Sequence, residues 1–173
     1  REVLHRLWLL DPVPAWVPSR NYFSRLAQPE KHQLADPALA ARLLGVDVGT
    51  LVEGGEGAAT VPRDGTLLGH LFESLVTLSV RVYAQAGEAE VKHLRTKGGR
   101  HEVDLIVERP DGGVLALEVK LAGTVSDDDV KHLLWLRERM GRDLVDAAVV
   151  TTGGTAYRRA DGVGVIPAAL LGP

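Results

Sequence analysis

The stretch from Glu102 to Lys120 constrains the fold most. Glu102 to Glu108 alternates apolar and polar residues, which predicts a strand with Val103, Leu105 and Val107 on one face. Asp111-Gly112-Gly113 supplies turn chemistry, because Asp bonds its own backbone and Gly takes left-handed conformations freely. Val114 to Lys120 then reads as a second apolar strand. A hairpin of this kind is marginal by itself and needs further strands or a helix against its apolar face.

The neighbouring segments provide both. Leu68, Leu71, Phe72, Leu75, Ser79, Val82 and Tyr83 recur at helical spacing, which predicts one long helix from about Leu67 to Gly87. Val91 to Arg95 reads as a strand, and Lys97 to Arg100 as a turn. Ser126-Asp127-Asp128-Asp129 opens a second helix, with Ser126 as cap and three acids at the positive end of the helix dipole, and Gly141 stops it. Ala147 to Thr151 is a continuous apolar run, the pattern of a strand covered on both faces, and Val163 to Ile166 adds one more short strand. The order from Leu67 is helix, three strands, helix, strand: an α/β class with a mixed sheet flanked by helices.

The N-terminal part carries weaker signals. Residues 1–10 read as the end of an amphipathic helix or a short strand, and Asp11 to Pro29, with four prolines, as an extended crossing. Asp36-Pro37 caps and opens a helix through Leu44, and Glu53 to Gly65 is a glycine-rich linker or lid. The division expected is an appendage over residues 1–66 and a domain over 67–173.

Composition removes whole classes. The chain of 173 residues has no cysteine, so thiolate metal sites, disulfides and a cysteine nucleophile are excluded. The net charge of −3 excludes a globally basic nucleic-acid binder but not a local basic strip. No apolar run reaches the roughly 18 residues a membrane helix needs, so a soluble, cytoplasmic protein is expected. The chain opens at Arg1 and its one methionine is Met140, which predicts a piece of something longer.

Four residues stand out chemically. Asp104 lies in the first strand of the hairpin, Glu118 and Lys120 lie in the second, and Glu73 lies in the long helix. Glu118 and Lys120 are two apart and share a sheet face, and the hairpin brings Asp104 beside Glu118. Charged groups among Val, Leu and Ile are costly to bury without a purpose. Asp104, Glu118 and, from the helix, Glu73 offer hard oxygen ligands for Mg²⁺ or Mn²⁺. Lys120 would position a water or stabilise charge on phosphoryl oxygens. On the wheel drawn from the apolar stripe, Glu73 lies well off its centre.

Lys92, His93, Arg95, Lys97, Arg100 and His101 form a cation-rich strip without an acid, and Lys92, Arg95, Lys97 and Arg100 are the candidates for gripping a phosphate backbone. The same cations also suit an exposed sheet edge, and no aromatic residue interleaves with them in sequence. The six histidines show no H-x-x-x-H spacing and are expected at the surface or beside the site. Trp8, Trp16 and Trp135 are expected as packing anchors.

Asp104 followed by Glu118-Val119-Lys120, with a helical Glu before them and this element order, resembles the PD-(D/E)XK nuclease superfamily. Gly69-His70-Leu71-Phe72-Glu73, the run Arg95 to Asp104, and Glu118-Val119-Lys120 resemble more closely a domain of unknown function at the C-terminus of prokaryotic AAA-type ATPases. The likeness runs from about Trp8 to the end and includes Asp36 to Gly45. Val103 stands where the superfamily usually has Pro before its first Asp. The resemblance implies a restriction-endonuclease-like fold, a metal-dependent nuclease site acting on nucleic acid (DNA ahead of RNA), and an ATPase module outside this chain. The chain itself holds no G-x-x-x-x-G-K-[ST] phosphate loop. Two readings stay open: a phosphodiester hydrolase, or a catalytically inactive module that binds nucleic acid or a protein partner and couples to the ATPase. An oligomer is compatible with either.

Overall fold

A computed structural model describes residues 2–7, 9–17, 29–53, 55–56, 60–61 and 65–172. Trp8, most of the proline-rich crossing (residues 18–28) and half of the glycine-rich segment lie outside the described residues. In chain order the elements are α1 (Glu2–Arg6), β1 (Leu10–Val13), β2 (Lys31–Leu34), α2 (Pro37–Leu43), α3 (Val48–Glu53), β3 (Gly55–Glu56), β4 (Thr60–Val61), α4 (Thr66–Ala86), β5 (Glu90–Arg95), β6 (Glu102–Glu108), β7 (Val114–Lys120), α5 (Asp127–Met140), β8 (Leu144–Thr151), β9 (Tyr157–Arg158) and β10 (Gly164–Pro167).

Six strands form one mixed sheet in the order β5-β6-β7-β8-β10-β9. The first three strands are antiparallel, β7–β8 and β8–β10 are parallel, and β9 closes the far edge antiparallel. The parallel β7–β8 step needs a crossover, and α5 supplies it. Packing uses both faces. Val76, Val80 and Ala84 of α4 meet Leu105, Val107, Leu117 and Val119 on one side, while Val130, Leu133 and Leu136 of α5 meet Ile106, Ala116, Ala147 and Val149 on the other. That two-sided burial is why β7 and β8 read as nearly unbroken apolar runs.

Local chemistry explains the boundaries. Asp36 accepts a hydrogen bond from Ala38 N at 2.8 Å and caps α2, whose first residue is Pro37. At the start of α5, the Asp129 carboxylate takes both the backbone N–H of Ser126 at 2.8 Å and its hydroxyl at 2.7 Å. The 96–101 turn closes through Thr96 N to His101 O at 2.9 Å, and Gly98 and Gly99, with φ of 79° and 67°, make its left-handed steps.

Two expectations are corrected. The inward face of α4 is not the expected apolar stripe: Leu75 and Val82 are exposed, and the buried positions are Leu71, Ser74, Val76, Thr77, Val80 and Ala84. Ser74 and Thr77 are admitted because both hydroxyls are bonded, to Gln33 Oε1 at 2.7 Å and to Glu73 O at 2.8 Å. Val103 does not share a face with Leu105 and Val107. Lys92 pairs with Ile106 and Leu94 with Val103, so Asp104 and Leu105 both stand opposite His93, and this bulge rotates the strand between Val103 and Leu105. The described part of the N-terminal segment packs on the sheet. β1 and β2 pair antiparallel, Ala15 bridges His93, and Trp16 N donates to His93 O at 2.6 Å. No helix among the described residues is long and apolar enough to cross a membrane.

Candidate active site

The site forms where the β6–β7 ladder stops. The pairing ends at Leu105 opposite Leu117, which places Asp104 against Glu118 in register. With no backbone partner beyond that point, Val119 N–H donates instead to Asp104 Oδ2 at 3.0 Å. The bulge is the device that turns the Asp104 side chain into this position. Asp104, Glu118 and Lys120 are therefore brought together at one strand end. Glu118 follows Ala116 on the α5 face, and Lys120 extends along the same face toward Asp129 of α5.

Glu118 is 4 % exposed, and its buried Oε1 has no hydrogen-bond partner among the described residues. Its other oxygen lies 3.4 Å from Lys120 Nζ. Burial, reinforced by the neighbouring Asp104 carboxylate and only partly offset by Lys120, pushes its pKa up to about 9. Burial works against the Lys120 charge, but Glu118 and Asp104 outweigh it and hold the ammonium above its ordinary range. A carboxyl buried this deeply beside another carboxylate keeps a proton at neutral pH unless a cation takes the proton's place.

Glu73 does reach the site, because the inward face of α4 is rotated from the expected one. At about 100° per residue it falls between Val80 and Ala84, near the middle of the buried face. There it meets Lys31, a residue that sequence reasoning missed. Lys31 Nζ lies 2.5 Å from Glu73 Oε1 and 3.2 Å from Asp104 Oδ1, and Gln33 Nε2 donates to the same Glu73 oxygen at 2.8 Å. Burial opposes the Lys31 charge, but the two carboxylates hold its pKa above the usual lysine value. No sequence signal marks Lys31: it sits in a four-residue strand 73 positions from Asp104.

Tested for a divalent cation, the donors divide. Glu118 fits best: it is a hard oxygen donor whose buried Oε1 meets no donor among the described residues, while Asp104 offers the same donor chemistry with Oδ1 against Lys31 and Oδ2 accepting from Val119 N–H. Glu73 does not join them as a free ligand, since its carboxylate is engaged by Lys31 and Gln33. Among the described residues no group of three or more His, Asp or Glu is placed to hold a metal.

The cation strip is dispersed. Lys92 is half-buried against Glu108 and lies 2.7 Å from Glu90, so its charge is already matched. His93 is buried, with Nε2 at 3.2 Å from Pro29 O, and burial lowers its pKa. Arg95 faces Glu102 at 3.7 Å, Arg100 is exposed, and the Lys97 side chain lies outside the described residues. Trp135 anchors α5 and stacks on His101 with centroids 3.9 Å apart. The aromatic group missing from the strip in sequence is thus delivered by α5.

A mixed sheet flanked by helices, with two carboxylates and a lysine at a strand end, defines an α/β domain with an acidic site. Residues 68–171 match the family described as Domain of unknown function (DUF4143), and the chain belongs to that family. No curated protein and no solved structure matches it.

Proposed function

We propose that this domain is a metal-dependent phosphodiester hydrolase of the PD-(D/E)XK kind, acting on nucleic acid, DNA ahead of RNA, as the C-terminal part of an AAA-type ATPase. The observation that carries the reading is Glu118: a buried carboxyl with a free oxygen, side by side with Asp104 and within 3.4 Å of Lys120. Asp104 and Glu118 would hold Mg²⁺ or Mn²⁺. Such an ion supplies a Lewis acid for the phosphoryl group and a water acidified toward neutrality. Lys120 presents N–H donors toward the phosphoryl oxygens as charge grows on them. Asp104 is kept in place by Val119 N–H and Lys31, so its carboxylate is preorganised and needs no rearrangement.

Cleavage of plasmid and single-stranded substrates in Mg²⁺ tests the proposal. Activity that disappears in Asp104→Ala and Lys120→Ala supports it, and equal rates in all three proteins reject it.

One observation favours a second reading, a catalytically inactive module coupled to the ATPase. Lys31 places an ammonium between Glu73 and Asp104, where a metal site would place a further ligand. Nucleic-acid binding without metal-dependent cleavage is the outcome that reading requires.

A further inference from the structure

On the α5 side of the sheet a cavity of about 690 Å³ opens beside the 96–101 turn. Its volume is that of an ordinary small-molecule site. Trp16, Arg95, Arg100, His101, Trp135 and Arg139 line it. Three features of this lining point to a ligand.

The first is charge. Arg100 and Arg139 are exposed and meet no carboxylate among the described residues, and Arg95 has only Glu102 at 3.7 Å. Three guanidinium groups around one hollow of a chain with net charge −3 call for an anion with several oxygens. The second is an unpaired donor. Trp16 is 5 % exposed, and its buried Nε1–H meets no acceptor among the described residues, a cost that a ligand acceptor would remove. The third is rigidity. His101 lies parallel to Trp135, with 6° between the rings, and Arg139 sits 4.9 Å above the Trp135 ring, so the aromatic wall is fixed before any ligand arrives.

Neighbouring contacts tie this cavity to the acidic site. His132 Nδ1 lies 3.3 Å from His101 Nδ1, and Lys120 is among the charges that lower the His132 pKa, after burial, His101 and Lys131.

We propose that this cavity binds a nucleoside phosphate: Arg95, Arg100 and Arg139 take the phosphate oxygens, the aromatic wall takes the base, and Trp16 Nε1–H donates to a ligand acceptor. The proposal does not depend on the acidic site being catalytic. The same chemistry arrives from two sources, a free nucleotide or the phosphorylated end of a strand.

Tryptophan fluorescence of the full chain is titrated with AMP, adenosine, inorganic phosphate, and a short oligonucleotide with or without a 5′-phosphate. Saturable quenching by AMP, weaker with adenosine and with phosphate, is expected. Arg100→Gln and Arg139→Gln should each weaken it roughly tenfold to a hundredfold. Both positions are exposed, so folding is retained, and Trp16→Phe removes the donor while keeping an aromatic ring. AMP bound without the oligonucleotide identifies a free nucleotide, and a 5′-phosphate-dependent oligonucleotide complex displaced by AMP identifies a strand end. Both outcomes support the site. Equal affinity for AMP and adenosine, equal affinity for AMP and phosphate, or no change in the arginine variants overturns it. Because no metal or cleavage enters this titration, its result is separate from that of the Mg²⁺ cleavage assay.

Discussion

Replacing Glu118 with Gln should stabilise the metal-free protein at neutral pH. In the folded chain the carboxyl pKa rises from its ordinary 4.5 to about 9, chiefly through burial. A raised carboxyl pKa contributes stability below the unfolded value and loses it as pH climbs toward the folded one. Between these limits the unfolded chain releases a proton that the folded chain retains, so stability falls by about 1.4 kcal/mol per pH unit. At pH 7, the wild type has therefore given up roughly 3 kcal/mol from this group relative to pH 4.5. Gln has the shape of the protonated acid and does not titrate. Urea unfolding in EDTA, run from pH 4.5 to 8.5 on both proteins, reads the effect. The variant should match the wild type near pH 4.5 and exceed it by about 3 kcal/mol at pH 7. Titrating groups remote from Glu118 are common to both proteins and cancel in the difference. A difference independent of pH, or a variant weaker than the wild type at pH 7, would refute the argument that Glu118 is buried as the acid.

Two further outcomes follow from neighbouring contacts. Lys31→Met leaves Glu73 and Asp104 facing each other, and it should cost about 1–3 kcal/mol at pH 7 in urea unfolding. An unchanged wild-type stability would remove Lys31 from the site. Gly153→Ala places a Cβ 2.9 Å from Gly123 O, where the loop after β8 crosses the loop after β7. Thermal unfolding should report roughly 1–3 kcal/mol of destabilisation. Gly123→Ala, whose Cβ meets nothing within 4 Å, is the matched control and should be close to neutral.

The hairpin was legible because its signals are local. The alternating run Glu102 to Glu108, the apolar run Val114 to Lys120 and the Asp111-Gly112-Gly113 turn between them mark the bounds of β6 and β7, and Ser126 and Gly141 bracket α5. The placement of Asp104 opposite Glu118, with Lys120 two residues on, follows from that hairpin register, whereas the turn of the Asp104 side chain depends on the bulge. What escaped depends on distant pairing. Ser74 and Thr77 look like solvent-facing residues until Gln33 and the Glu73 carbonyl satisfy them, which is why the buried face of α4, and with it Glu73, was misplaced. The bulge at Asp104 and Leu105 leaves no mark in composition, because it arises from a mismatch with β5. Lys31 was invisible for the same reason: its partners come from two elements far along the chain.

The account turns on whether Asp104 and Glu118 exchange the Glu118 proton for a divalent cation. Calorimetric titration of the chain with Mn²⁺ and Mg²⁺ at pH 7, repeated in buffers of different ionisation enthalpy, counts the protons released on binding. One ion bound with close to one proton released, tighter as pH rises toward 9 and abolished in Glu118→Gln, is the expected result. Absence of binding at millimolar metal, or binding that Glu118→Gln leaves intact, would contradict it.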